Sequence, residues 1–499
     1  MGYPKPHHVS PITTTDCFIL VIITFVSLFT RIWKLGYPND ITFDEVYFGN
    51  FTNSYIKHEY FVDIHPPLAN MIMAYIAYLT QYPGNIDWGK GLSKSYSLDS
   101  EINYVSLRLT VMIFSSFCAP FIYLAMRYFN LSYTASLSAA SLVGFDFTSI
   151  VEGRFILSDG ILHFFTCFHI FAFSHFLHNP SHFNVFVVGI TLGCAISCKF
   201  TALGLIALDG ITQIYWIFCD YPSILQILIR TFEIFASCFA VTYCAWATHF
   251  IALPYKSEFH FQQSHIINPN PNEKYLNTII KRSKENVTYL GNRLIKPMVS
   301  RIIEFNINTH KNNMRTTFPH PWASNPLYWP LLLDKHVLFL EKEPNILIIC
   351  MGSPVSYWLS SLGLILTVSS IPLKVIDFRN FVFFSGWAFS YMPFILVARS
   401  MYVYHYIVPM IFASLNLATY IENIFKSNNK AAFVNTAIVI LSILSYAFFL
   451  PWIVGTPCPE CKETRLWMSR WINGPPKPFK ILGMQAYNYT KVMREDFPI

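Results

Sequence analysis

The sequence predicts an all-α polytopic membrane protein, and three observations carry that prediction. Of its 499 residues, 53% are hydrophobic and only 13% are charged, about half the share of roughly 25% found in soluble proteins. The apolar residues fall in runs of roughly 20, the length that crosses a bilayer as a helix. Alternating segments of strand length are absent, so helices and not a barrel must satisfy the backbone in lipid.

About eleven spans follow, near 17–35, 104–126, 132–149, 156–177, 183–198, 201–218, 226–251, 345–367, 379–398, 402–421 and 432–452. The first ends in Arg31, Trp33 and Lys34 and lacks a small-residue cleavage site, so it reads as a retained span. Leu68 to Tyr82 is apolar but short and follows Pro66-Pro67, which suits an interfacial helix. Three polar stretches remain, 36–103, 252–344 and the tail 453–499. An odd span count puts all three on one face, the predicted lumenal face. Lys374, Arg379, Lys426 and Lys430 then fall in or beside loops of the opposite face, as the positive-inside tendency expects, while Arg31 and Lys34 run against it.

The sequons at Asn286 and Asn488 lie on the predicted lumenal face and are the glycosylation candidates. Asn50 also carries one, inside the motif described next, and the sequon at Asn130 falls on the opposite face. The net charge of +7 is scattered through short loops and gives no nucleic-acid reading. Most cysteines sit in apolar runs as small core residues. Cys458 and Cys461 stand together in the polar tail without the second pair a zinc site needs, and on a lumenal face a local disulfide is expected over free thiols.

The chemistry concentrates in Phe43-Asp44-Glu45-Val46-Tyr47-Phe48-Gly49, followed by Asp63-Ile64-His65-Pro66-Pro67. Adjacent carboxylates do not readily point at one atom, so one can face a site while the other serves structure or a cation. The proline pair ends the extended stretch and stiffens entry to the next helix. On chemistry alone, this loop is either a carboxylate site beside a membrane or an ordinary solvated loop.

The string from Phe43 to Phe51, with Tyr55 to Leu68 after it, closely resembles the first lumenal loop of the protein O-mannosyltransferases. These are dolichyl-phosphate-mannose-dependent enzymes of glycosyltransferase family thirty-nine. The likeness continues in order through Tyr104-Val105-Ser106-Leu107-Arg108, Glu152-Gly153-Arg154-Phe155-Ile156-Leu157-Ser158-Asp159 and Cys198-Lys199-Phe200-Thr201. It resumes at His320-Pro321-Trp322-Ala323-Ser324, Trp329-Pro330-Leu331-Leu332, Gly352-Ser353-Pro354 and the run from Arg399 to Tyr406.

The resemblance implies a GT-C type glycosyltransferase with about eleven transmembrane helices. It implies an N-terminal transmembrane catalytic module over 1–251, a lumenal loop over 252–344, a four-span module over 345–452 and a lumenal tail over 453–499. Eukaryotic members carry a MIR domain in the large loop. Here that loop is too short for one, so the chain resembles a form lacking the MIR repeats.

It also implies transfer of mannose from dolichyl phosphate mannose to Ser/Thr hydroxyls with inversion. Such a reaction needs one carboxylate base for the attacking hydroxyl and cationic stabilisation of the departing phosphate. Asp44 matches the catalytic aspartate, and Glu45 its neighbour that orients the loop or acceptor. His65, Arg108, Arg154, Lys199, Arg399 and His405 are the candidates for the donor site, since guanidinium and ammonium groups at span ends suit a lipid-linked phosphate. The alternatives are snorkelling to head groups and, for Arg154, pairing with Glu152 or Asp159. No metal-ligating set is assigned; the donor is a substrate, no cofactor is firm, and a divalent metal stays open.

The partners implied are the membrane-borne donor, Ser/Thr-containing acceptor proteins and a related subunit in a homo- or heterodimer. The location implied is the endoplasmic reticulum membrane, or the plasma membrane for a bacterial source. The rival readings are another GT-C enzyme using a polyprenyl-phosphate sugar, a non-catalytic partner subunit and a secondary transporter. A transporter should show related halves, and no internal repeat is seen.

Overall fold

The computed structural model describes residues 10–88, 101–256, 297–314, 320–342, 345–397, 399–425 and 427–472. The N-terminal half builds α1 (Thr14–Ile32), α2 (Glu45–Ile56), α3 (Leu68–Leu79), α4 (Glu101–Ser116), α5 (Cys118–Tyr128), α6 (Tyr133–Gly144), α7 (Phe147–Glu152), α8 (Ser158–His178), α9 (His182–Cys198), α10 (Gly204–Asp220) and α11 (Ile224–Ala252). The C-terminal half adds α12 (Met298–Met314), α13 (Pro354–Ser369), α14 (Phe378–Leu396), α15 (Ile407–Ile424), α16 (Asn428–Val454) and the short α17 (Cys461–Arg465). Two strand pairs complete it: β1 (Glu59–Tyr60) lies parallel to β2 (Tyr255–Lys256), and β3 (Val337–Lys342) is antiparallel to β4 (Ile346–Cys350).

Seven helices among the described residues are long and apolar enough to cross a membrane: Thr14–Ile32, Tyr104–Tyr128, Ser158–His178, Phe200–Asp220, Ile224–Ala252, Val403–Ile424 and Asn428–Val454. The other four expected spans are helices of a different kind. The span placed at 132–149 breaks in two. α6 ends at Gly144, and Asp146 caps α7, accepting from Ser149 N at 3.0 Å and from Ser353 N at 2.9 Å. The span placed at 345–367 loses its first residues to β4, and its helix starts only at Pro354, capped by Ser353. His182–Cys198 is short, and Phe378–Leu396 opens with Arg379 and Asn380 on the Asp377 cap. The apolar stretch from Leu68 forms the short α3, in place of a span.

Burial separates inner from outer helices. α15 is buried almost throughout and packs against α13, α14 and α6. α11 packs on α9 and turns Ile224, Leu225, Leu228, Phe232 and Phe235 outward. A continuous apolar outer face on a long helix is what contact with lipid tails requires, and the chain is a multi-pass membrane protein.

The polar stretches meet one another over one end of the bundle. β1 pairs with β2 beyond the end of α11, and Tyr55 Oη lies 2.6 Å from His249 Nδ1. Gly49 lets α2 lie against Trp88, where a Cβ would come within 2.1 Å of the indole. The β3–β4 hairpin touches the first loop through Phe43 on Phe339, with ring centroids 4.3 Å apart, and through an ion pair between Lys342 and Asp40. The tail closes over the preceding segment: Trp471 Nε1 donates to Leu332 O at 2.7 Å, and His336 N donates to Trp471 O at 3.1 Å. Cys458 and Cys461 form a disulfide beside this contact. The sequons at Asn286 and Asn488 lie outside the described residues.

Candidate active site

The two carboxylates of the opening motif have opposite fates. Glu45 starts α2 fully buried, and Arg108 of α4 donates to it twice, from Nε to Oε1 and from Nη2 to Oε2, both at 2.8 Å. Glu45 also accepts from Thr42 N at 2.9 Å and from Ile156 N at 3.1 Å. Arg108 further donates to the carbonyls of Leu35, Pro38 and Asp40. A guanidinium fork matches a carboxylate in this bidentate way and fixes its orientation. Arg108 and Glu45 are thus engaged with each other and with the loop backbone. Together they clamp the loop onto α4 and the Arg154–Ile156 turn.

Asp44 faces elsewhere. Successive residues on a helix diverge by about 100°, and Phe43 before it holds φ +49°, turning the chain sharply into α2. Asp44 takes the N-cap position of α2, yet its side chain makes no capping bond, and no other hydrogen bond reaches it among the described residues. The carboxylate is half-buried. Burial raises its pKa to about 7, with Lys199 and His65 lowering it and Asp159 and Asp63 raising it. A carboxyl poised near neutrality suits a general base at physiological pH.

Those neighbours form the site. Lys199, at the C-terminal end of α9, places Nζ 2.6 Å from Asp159 Oδ1 at the start of α8, and both are buried. The ammonium also lies 5.4 Å from the Tyr404 ring centroid. Asp63 accepts from Asn70 Nδ2 at 2.8 Å and from His65 N at 3.2 Å, and His65 Nδ1 lies 3.0 Å from its Oδ1. Burial pushes Asp63 up, but the His65 charge and these bonds outweigh it and hold the carboxyl below its usual value. An aromatic wall comes from the other half of the chain. His405 stacks on Tyr404 at 4.6 Å and on Trp329 at 6.1 Å, and Tyr402 stacks on Tyr404 at 5.3 Å. Arg399 is half-buried beside this wall; its Nε donates to Ser400 O at 3.2 Å, and burial lowers its pKa.

The structure thus gathers Asp44, His65, Lys199, His405 and Arg399, while Glu45 and Arg108 hold each other and Arg154 donates to Lys34 O. Arg154 does not pair with Glu152 or Asp159. Its Nη2 donates to Lys34 O at 3.0 Å, and the charged groups acting on it are Arg108 and Arg31. Asp159 goes to Lys199 instead. Sequence reasoning missed Asp159, Asn70 and Tyr404 as members of the site, and it missed His163. The last had a readable signal, since it stands four residues, one helical turn, after Asp159.

A family model described as dolichyl-phosphate-mannose-protein mannosyltransferase matches residues 21–264. A second, the C-terminal four-transmembrane region of protein-O-mannosyltransferase, matches 298–473. The chain belongs to the protein O-mannosyltransferase family. Among curated members of this family, dolichyl-phosphate-mannose–protein mannosyltransferase 3 of Saccharomyces cerevisiae is 34% identical over 221 residues, covering 42% of this chain and 29% of that one. Protein O-mannosyl-transferase 1 of Danio rerio is 34% identical over 185 residues, 36% of this chain and 25% of that one. The chain spans less than a third of the length of these curated relatives. The fold matches that of the S. cerevisiae protein O-mannosyltransferase Pmt1–Pmt2 complex bound to the sugar donor, with a TM-score of 0.80, 17% identity and 93% coverage of both chains. The protein O-mannosyltransferases thus share this helical architecture, of GT-C type, with the present chain.

Proposed function

We propose that this chain transfers mannose from dolichyl phosphate mannose to Ser/Thr hydroxyls of secretory-pathway proteins in one inverting displacement, with Asp44 as base. The observation that carries the reading is the unbonded, half-buried Asp44 carboxylate held near neutrality beside Lys199. The acceptor hydroxyl gives its proton to Asp44 as its oxygen attacks the anomeric carbon. The bond from that carbon to the phosphate oxygen breaks, and its electron pair leaves with the phosphate. Lys199 has three N–H donors, one of them on Asp159, so others can meet the developing charge. His405 and Tyr404 offer flat faces against which the sugar can rest. A single displacement needs only one carboxylate, in keeping with the occupation of Glu45 by Arg108.

Support for the donor comes from the names of the relatives and from the donor-bound fold neighbour. That neighbour is a complex of two related chains, and we infer pairing with a related subunit here. We place the protein in the endoplasmic reticulum membrane and infer that its acceptors are chosen without a MIR domain. The test is transfer of labelled mannose from dolichyl phosphate mannose to a Ser/Thr peptide by the reconstituted protein, wild type against Asp44→Asn. Transfer that survives the substitution removes Asp44 as base. Transfer by neither form alone, restored on adding a related subunit, makes this chain the partner and not the catalyst.

A further inference from the structure

A second cluster shares Asp159 with the candidate site and adds Glu152 and His163, which the proposed reaction does not use. α7 ends at Glu152 and α8 begins six residues later. The two helix ends touch because Gly160 has no side chain: a Cβ there would lie 3.2 Å from Gly153 Cα and 3.3 Å from Glu152 O. This contact brings Glu152 beside Asp159 and His163, which share a face of α8 one turn apart. One ligand-type atom from each of the three falls within 4.8 Å of the others.

The side chains of Glu152 and His163 are more than nine-tenths buried, with 2% and 1% exposed, and that of Asp159 is 11% exposed. Among the described residues, Glu152 Oε2 has no hydrogen-bond partner, and neither ring nitrogen of His163 has one. His163 Nε2 stands 3.6 Å from Glu152 Oε2, outside hydrogen-bond reach. Buried polar atoms are rarely left so. Lys199 takes Oδ1 of Asp159, and no hydrogen bond reaches Oδ2 among the described residues. The charged groups acting most strongly on Glu152 are Asp159, Lys199, Asp146 and Asp44, three carboxylates to one ammonium.

The geometry points to a divalent-cation site made by Glu152, Asp159 and His163, adjoining the candidate active site. Two carboxylates and one imidazole form an oxygen–nitrogen set that suits Mn2+ or Zn2+. Donors about 2.1 Å from one ion lie at most about 4.2 Å apart. The present spacing of up to 4.8 Å closes to that by side-chain rotation. The ion takes the vacant lone pairs of Glu152 and His163. Its presence does not depend on the transfer reaction being the one proposed above.

The test is Mn2+ binding to the chelator-stripped full chain in lipid nanodiscs, followed by the EPR signal of free Mn2+. One equivalent is expected to bind. Glu152→Gln and His163→Ala should each weaken it at least tenfold, and Glu233→Gln should leave it unchanged. Glu233 pairs with His182 at 2.6 Å on the surface, so that variant controls for a generic His–carboxylate contact. Pulsed EPR of the bound ion should show an imidazole nitrogen coupling that His163→Ala abolishes. Glu152→Gln is isosteric and keeps the test decisive if His163→Ala misfolds. No Mn2+ bound by folded wild type, or equal binding by wild type and Glu152→Gln, overturns the site. Either result leaves the mannose-transfer reading standing, because the readout is binding and not activity.

Discussion

Arg108 grips Glu45 through Nε and Nη2, with both contacts at 2.8 Å and both side chains fully buried. This pair sits one residue from the proposed base, and its work is mechanical. Arg108→Ala should leave a buried carboxylate without its cation, which costs about 3–5 kcal/mol. Arg108→Lys keeps the charge but loses the fork and should recover only part of that stability. Thermal unfolding in detergent measures both. An Arg108→Ala protein as stable as wild type, with a raised donor KM only, would return Arg108 to the phosphate.

Asp44→Asn should lower kcat for transfer by about 10²–10⁴-fold, the usual contribution of a positioned general base, with little change in donor KM. The fold should not suffer. Burial pushes the folded carboxyl up to about 7, well above the usual carboxylate range, so its ionised form costs stability above neutrality and progressively less as pH falls toward 4. The Asn variant should therefore unfold at the same or a higher temperature than wild type at pH 8.

The pH profile of kcat/KM tests the same group without substitution. A base must be ionised to accept a proton, and burial raises the Asp44 pKa to about 7. The rate should fall below about pH 7 and level off above it. A profile flat down to pH 5 would show that no group of that pKa takes the acceptor proton.

Lys199 and Asp159 separate a donor role from a structural one. Lys199→Met strands Asp159 in a buried site and should both destabilise the fold and raise donor KM. Adding Asp159→Asn removes the stranded charge and should restore much of the stability. If Lys199 meets the phosphate, the double variant stays slow. Recovery of transfer along with stability would make the pair purely architectural.

Much of the helical frame is legible in the sequence because lipid demands long apolar runs with their backbone bonds satisfied internally. The same signal cannot separate Ile346–Cys350 from Pro354–Ser369, since strand and helix are both apolar there and length alone arbitrates. Asp44 is legible as one of an adjacent carboxylate pair. Which carboxylate faces the site is not, because Arg108, the residue that decides it, lies 63 positions away. An arginine at a span end suits a lipid phosphate and a carboxylate equally well. Lys199 and Asp159 are visible as charges in two separate motifs, and only packing of α8 on α9 joins them.

Phe43 holds a left-handed backbone conformation, uncommon for a bulky residue and sustained only where surrounding structure over-determines it. What over-determines it is Phe339, nearly three hundred positions onward, with Lys342 gripping Asp40 beside it. The reactive carboxylate is thus aimed by a prop that belongs to the other half of the chain. A fragment ending at residue 264 would keep the opening motif and the Arg108 clamp but lose this prop. The two halves behave as lock and strike plate: neither should transfer sugar alone, and co-expression of both should restore what severing the chain removes.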